Sequence, residues 1–195
     1  MVAEIRLRDS QGQRLYLNQA ERTAFIDAAK KLEPLEHTFG LTLAMTGCRI
    51  SEGLLLVKGR FDFDSKTVTL DTLKKRRSGV FRVVPLSDPY LDLMNIAHGL
   101  RQAQRQGPRG CVERLWPWSR TAAWRIIKDT MHDARVQGPQ ATAKGLRHAF
   151  AVHALENGVP LPLVQRWLGH SSIETTAIYL QVVGKEERAF ASKMW

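Results

Sequence analysis

Apolar residues along this chain recur mostly at helical spacing, and the pattern shifts to strand-like only once. Asn18 with Glu21 three residues on makes a capping-box pattern, and Ala20, Ala24, Phe25, Ala28, Ala29 and Leu32 follow on one helical face. Pro34 ends that helix and opens a second, which runs to Met45 and stops at Thr46-Gly47. A third, short helix is expected from Ser51 to Val57. Thr67-Val68-Thr69-Leu70 and Phe81-Arg82-Val83-Val84 are β-type runs flanking Lys74-Lys75-Arg76-Arg77-Ser78-Gly79, which predicts a hairpin with a basic tip. Ser87-Asp88-Pro89 opens a helix to about Gln104, Gly107-Pro108-Arg109-Gly110 reads as a loop, and Ser119 to Ala134 is again helical. A turn at Gln137 to Gln140 leads into a helix from Thr142 to Glu156, ended by Asn157-Gly158. Pro162 to Leu168 is a short helix, and Ser171 with Glu174 is a capping box opening a last helix that carries Thr175, Thr176 and Tyr179. The expected fold is mainly α with a small antiparallel β-hairpin.

Composition narrows the function. The 195 residues hold 44% apolar side chains, enough for one domain with a proper core and too many for a disordered chain. Lys and Arg number 29 against 19 Asp and Glu, a net charge of +10, which favours nucleic acid first and an acidic membrane surface second. No apolar run approaches a spanning helix and the first twenty residues hold no signal-peptide core, so a cytoplasmic protein without a membrane partner is expected. Cys48 and Cys111 fit neither a disulfide framework nor a zinc site. Basic residues concentrate between Lys58 and Arg82 and again at Arg101, Arg105, Arg109, Arg114 and Arg120. Either stretch alone can be a solvated face; two of them in so basic a chain lean toward a phosphate-binding surface.

The candidate chemistry narrows by elimination. Asp62-Phe63-Asp64 and His132-Asp133 offer metal ligands, but a two-metal site needs further convergent carboxylates and none stands out, so neither metal nor cofactor is expected. A Gly-x-Ser-x-Gly elbow and a phosphate-cradling Gly-rich loop are both absent from the sequence. What remains is Arg49 at a helix junction, Lys144 and Arg147 on one helix face at i, i+3, His170, and Tyr179. Taken singly, each reads more simply as a solvated cation or a core aromatic. Together they suit a phosphodiester under attack: planar Arg forks hold the non-bridging oxygens, nearby cations favour a tyrosine oxygen as nucleophile, and a hairpin lysine protonates the departing sugar oxygen.

At these residues the sequence resembles the tyrosine recombinase (phage integrase) family. Thr46-Gly47-Cys48-Arg49-Ile50-Ser51-Glu52 resembles the box of the family's first catalytic arginine. Thr72-Leu73-Lys74-Lys75-Arg76-Arg77, then Val83-Val84-Pro85-Leu86, resembles the hairpin of the catalytic lysine, which the resemblance places at Lys74. Leu146-Arg147-His148-Ala149-Phe150-Ala151 resembles the second arginine box; Leu168-Gly169-His170-Ser171-Ser172 and Thr175-Thr176-Ala177-Ile178-Tyr179 resemble the last histidine box and the nucleophile. The resemblance implies the family's DNA breaking-rejoining catalytic fold over 18–183, with Arg49, Lys74, Lys144, Arg147, His170 and Tyr179 catalytic, and Lys75, Arg76, Arg77 and Arg82 on DNA. It implies metal-free and ATP-free cleavage and rejoining of duplex DNA, with other protomers as partners in a tetrameric synapse and no small-molecule substrate. Residues 1–17 are an N-terminal extension in this reading, and the family's usual N-terminal core-binding domain is not evident. Residues 184–195 form a C-terminal helix, exchanged between protomers by resemblance or packed on its own domain.

One position departs from the pattern. Lys144 stands where the family usually has histidine; it can still donate to a phosphate oxygen but is a poorer base near neutral pH. His148 is the alternative base, though packing accounts better for the family position it matches. Two rival readings remain: a non-enzymatic regulator with a helix–turn–helix between Leu163 and Leu180, and a type IB topoisomerase that relaxes one strand by the same chemistry.

Overall fold

The computed structural model describes residues 6–73 and 79–182, together with 192 and 194. Its first helices are α1 (Gln19–Ala29), α2 (Pro34–Thr46) and α3 (Ile50–Gly53). A three-stranded antiparallel sheet follows in the order β1 (Phe61–Asp62), β2 (Thr67–Asp71), β3 (Phe81–Pro85). The rest is helical: α4 (Asp88–His98), α5 (Leu100–Arg105), α6 (Pro108–Cys111), α7 (Arg120–Asp133), α8 (Ala143–Glu156), α9 (Leu161–Leu168) and α10 (Glu174–Ala177), which runs on into a 3₁₀ turn at Ile178–Gln181. The mainly α fold with one small antiparallel sheet is the one the sequence pattern predicts. No helix among the described residues is long and apolar enough to cross a membrane.

Local chemistry accounts for the elements that matter to the site. Both halves of the capping box form at α1: Asn18 accepts from the Glu21 amide at 2.8 Å and Glu21 accepts from the Asn18 amide at 2.9 Å. Proline opens α2, and Gly47 closes it in the left-handed conformation at φ 61°. A side chain at Gly47 would also collide with Phe150, so only glycine serves there. Residues Thr38 to Ala44 of α2 and Gly145 to Val152 of α8 are buried without a break, which makes these two packed helices the spine of the domain. One apolar cluster gathers around Phe39, Met94, Trp116, Ile127 and Leu146. A second joins Leu7, Phe150, Ala151, Val164, Leu168 and Tyr179, so the described part of the 1–17 segment packs on the body of the domain.

Several expectations change. The third helix covers Ile50–Gly53 rather than 51–57, because Leu54 and Leu56 turn into the core and Val57 pairs with Arg114 in an isolated bridge. The long helix after Ser87 breaks at Gly99, again left-handed at φ 61°, and residues 108–111 form the turn of α6 instead of a loop. The capping box at Ser171 does not form: Ile173 is the N-cap of α10, and the Ser172 hydroxyl accepts from the Glu174 amide at 3.2 Å. With four residues, α10 is too short for a recognition helix, which removes the structural basis of the helix–turn–helix reading. Residues 74–78 lie outside the described residues, as do all but two of residues 183–195, so the hairpin tip and the C-terminal helix are not seen.

The buried histidines couple this fold to pH. His98 Nε2 lies 2.9 Å from Thr38 Oγ1 with its ring edge-on to Trp116; burial, then Lys58, pulls its pKa down to about 4. Burial, then Lys144 and Arg147, pulls His148 down to about 3. Below about pH 6.5 the unfolded chain takes up protons at both sites while the folded chain does not. Their contribution is therefore complete above pH 6.5 and lost as pH falls toward 4. At pH 5 the loss is about 2 kcal/mol per histidine as an upper bound. We expect the urea midpoint to fall between pH 7 and pH 5, and His98→Gln to flatten that fall; parallel midpoints would refute the neutral-histidine account.

Candidate active site

Glu52 organises the site. Gly47 turns the chain out of α2 and Arg49 takes up extended backbone as the N-cap of α3, leaving its amide without a helical partner. Glu52 Oε2 accepts from that amide at 2.9 Å, and Oε1 accepts from Arg49 Nη1 at 2.6 Å. Oε2 also accepts from Arg82 Nη2 at 2.7 Å and lies 4.0 Å from Arg147 Nη1. The Glu52 side chain is fully buried. Burial alone would raise its pKa, but the charges of Arg82 and Arg49 and the bonds to them outweigh it and hold the carboxyl below its usual range.

Arg147 reaches from α8 across the ends of two other helices. Nη1 donates to Gly47 O at 2.6 Å, Nη2 donates to Leu168 O at 2.7 Å, and Nη2 lies 3.2 Å from His170 Nε2. The guanidinium thus satisfies carbonyls left over at the C-termini of α2 and α9. Burial, with Arg49 adding to it, lowers its pKa to about 10, which leaves it charged near neutral pH. Because a guanidinium only donates, His170 Nε2 accepts, and its Nδ1–H donates to Thr176 Oγ1 at 2.9 Å.

Tyr179 sits in the 3₁₀ turn after α10, wholly buried. Its hydroxyl is 2.7 Å from His148 Nδ1, and the His170 ring lies nearly parallel to it, centroids 6.5 Å apart. Burial pushes the phenol up to about 12, against the opposing pull of Arg147 and Arg49. Three guanidiniums therefore surround one carboxylate, an excess of two positive charges beside a buried phenol. Such a centre suits an anion with oxygens on several sides.

Of the site residues named from the sequence, the structure gathers Arg49, Arg147, His170 and Tyr179. Lys144 is exposed one turn before His148 on α8, close enough to lower its pKa. Lys74, Lys75, Arg76 and Arg77 lie outside the described residues. Arg82 is a correction: instead of facing DNA, its side chain is 3% exposed and donates to Glu52, Trp167 O, Asp71 O and Thr72 Oγ1. It is a structural cation that ties β3 to α3 and α9. Sequence reasoning missed Glu52 as a hub, although its position three residues after a helix-start arginine is capping-box spacing. The sequence offers His148 as an alternative base but favours packing for it; in the structure its Nδ1 lies 2.7 Å from the Tyr179 hydroxyl.

A mainly helical domain with a three-stranded sheet, two arginines and a histidine gathered beside a buried tyrosine, defines a catalytic domain of the tyrosine recombinase class. Residues 13–186 match the phage integrase family, and the chain belongs to that family. The tyrosine recombinase XerA of Pyrococcus furiosus is 31% identical over 176 residues, which is 87% of this chain and 58% of XerA. The chain therefore spans little more than half of that relative's length. Among solved structures, the XerH site-specific recombinase in a post-cleavage complex with a palindromic difH substrate superposes with TM-score 0.75 at 22% identity, over 100% of this chain and 58% of XerH. The catalytic domain of bacteriophage HP1 integrase superposes with TM-score 0.66 at 22% identity, over 92% of this chain and 95% of that domain.

Proposed function

We propose that this chain is the catalytic part of a site-specific recombinase or integrase that cleaves and rejoins duplex DNA through a 3′-phosphotyrosyl intermediate, without metal or ATP. The observation that carries the reading is the convergence of Arg49, Arg147 and His170 on the pocket that holds Tyr179. In this mechanism Tyr179 Oη attacks the scissile phosphorus, the bond to the 5′-oxygen breaks, and the 5′-hydroxyl leaves. Arg49, Arg147, Lys144 and His170 hold the non-bridging oxygens, where charge grows in the transition state. Lys74 protonates the leaving oxygen. A partner strand's 5′-hydroxyl then reverses the step, which conserves the bond energy. Tyr179 is buried in the free chain, so attack requires that it be uncovered on DNA. Exchange needs several protomers on the duplex, a tetrameric synapse in a cytoplasmic setting.

Nicked suicide duplexes carrying candidate sites test the reading: the 5′-hydroxyl fragment diffuses away and a detergent-resistant protein–DNA adduct accumulates, in EDTA as well. Relaxation of supercoils without strand exchange between sites would favour the topoisomerase alternative. Duplex binding itself should be sequence-tolerant and salt-sensitive, because Arg101, Arg105, Arg109, Arg114 and Arg120 are all exposed. With several phosphates neutralised, log affinity should fall against log salt by about 0.9 per phosphate. A flat response would remove these arginines from the DNA surface.

A further inference from the structure

We infer that His148 is a catalytic residue for the nucleophile: its Nδ1 holds the Tyr179 hydroxyl hydrogen in place and takes the proton as the tyrosine attacks. The inference rests on the proposed phosphotyrosyl chemistry and adds the group that receives the proton. α8 presents Lys144, Arg147 and His148 within one turn and a half, so a single helix face serves both the phosphate and the nucleophile. The two reacting partners are in hydrogen-bond contact, 2.7 Å from Nδ1 to Oη, inside the second apolar cluster.

The tautomer of His148 sets the direction of that bond. The neutral imidazole has one N–H and the phenol one O–H, while His148 Nε2 is buried without a hydrogen-bond partner. If Nδ1 donated to Tyr179, the phenol hydrogen and the Nε2 lone pair would both be left over. With the phenol donating to Nδ1, the Nε2 hydrogen and both phenol lone pairs are. The inferred role takes the second arrangement, in which Nδ1 carries no hydrogen and is open to receive one. That arrangement spends the hydroxyl's one hydrogen on His148 and leaves both oxygen lone pairs for a phosphorus atom.

Burial, then the charges of Lys144 and Arg147, keeps His148 neutral in the free chain, so its nitrogen is an acceptor at working pH. A phosphate seated on Arg147 cancels part of that positive field, and the imidazole becomes more basic when the substrate arrives. In the step, the Oη–H bond breaks with its proton passing to Nδ1, the Oη–P bond forms, and the P–O5′ bond breaks. In rejoining, the 5′-hydroxyl attacks and the same proton returns from Nδ1 to Oη.

Two measurements test this. In the free wild-type chain, nitrogen chemical shifts of the His148 ring should show a neutral imidazole with its hydrogen on Nε2; a hydrogen on Nδ1 overturns the assignment whether or not the chain cleaves DNA. On suicide duplexes, His148→Asn keeps an acceptor near Tyr179 but no basic nitrogen, and should slow adduct formation by roughly 10²–10⁴ while DNA affinity stays within a few-fold. With a difluorinated tyrosine at position 179, whose phenol gives up its proton far more readily, that penalty should shrink. A merely structural histidine would give the same penalty with either phenol, and His148→Asn cleaving at the wild-type rate would also overturn the proposal. Absence of any adduct from the wild-type chain defeats the phosphotyrosyl reading itself, which the ring nitrogens do not depend on.

Discussion

Tyr179→Phe is expected to form no covalent adduct with DNA while binding duplex as tightly as the parent chain. The change removes one oxygen and keeps the ring, which fills the second apolar cluster beside Phe150, Val164 and Leu168. DNA affinity should survive because the change leaves every exposed arginine in place. Stability should fall by about 1–3 kcal/mol, since His148 Nδ1 loses its partner and becomes a buried unsatisfied group. The readout is a labelled suicide duplex run on a denaturing gel, with thermal melting of the free protein alongside. Tyr16→Phe and Tyr90→Phe are the controls. Tyr90 is bonded to Thr42 in the first cluster, and Tyr16 carries the Arg14 guanidinium over its ring, whereas the hydroxyl held by His148 is that of Tyr179. An adduct that persists in Tyr179→Phe would assign the nucleophile elsewhere.

What could be read from the sequence was local or chemically specific. The capping box at Asn18, the proline at the start of α2 and the glycine at its end act within four residues, so their signals sit in the chain itself. The gathering of Arg49, Arg147, His170 and Tyr179 was legible because each stands in a sequence box that the family resemblance picks out, and the fold brings those boxes together. The errors came from contacts between distant residues. Phe81-Arg82-Val83-Val84 does not alternate apolar and polar, so either face of β3 could turn inward. In the structure Phe81 and Val83 are about half exposed and Arg82 points in. That choice is decided by Glu52, thirty residues earlier, and by the Trp167 carbonyl, eighty-five residues later. An arginine read in its own hairpin looked like a DNA contact; with a buried carboxylate waiting for it, it is part of the core. Likewise, the hydroxyl partner of His148 lies 31 residues away, across the packing of the 3₁₀ turn on α8.

Glu52 gives the second large effect, because it is the shared counter-ion of the site. Glu52→Ala leaves Arg82, 3% exposed, and Arg147, 7% exposed, buried with no carboxylate, and leaves the Arg49 amide without its acceptor. Removing one partner of a buried pair typically destabilises by about 3–5 kcal/mol, a large share of the roughly 5–15 kcal/mol that holds a domain together. For a chain of this size that is a melting temperature lower by roughly 10 °C. Glu52→Gln keeps the shape and one acceptor oxygen and should lose less. Arg82→Met removes the opposite charge, so adding it to Glu52→Gln should cost less than the two single changes summed. Cleavage should drop in Glu52→Gln even at temperatures where the protein is folded, since Arg49 and Arg147 lose the carboxylate that sets their positions. Duplex affinity should not drop, because the substitution raises the net positive charge. Urea midpoints for the cycle and single-turnover cleavage on a suicide duplex separate these effects. Additive midpoints would mean that Glu52 and Arg82 do not depend on each other, and cleavage unchanged in folded Glu52→Gln would mean that the clamp holds its geometry without its counter-ion.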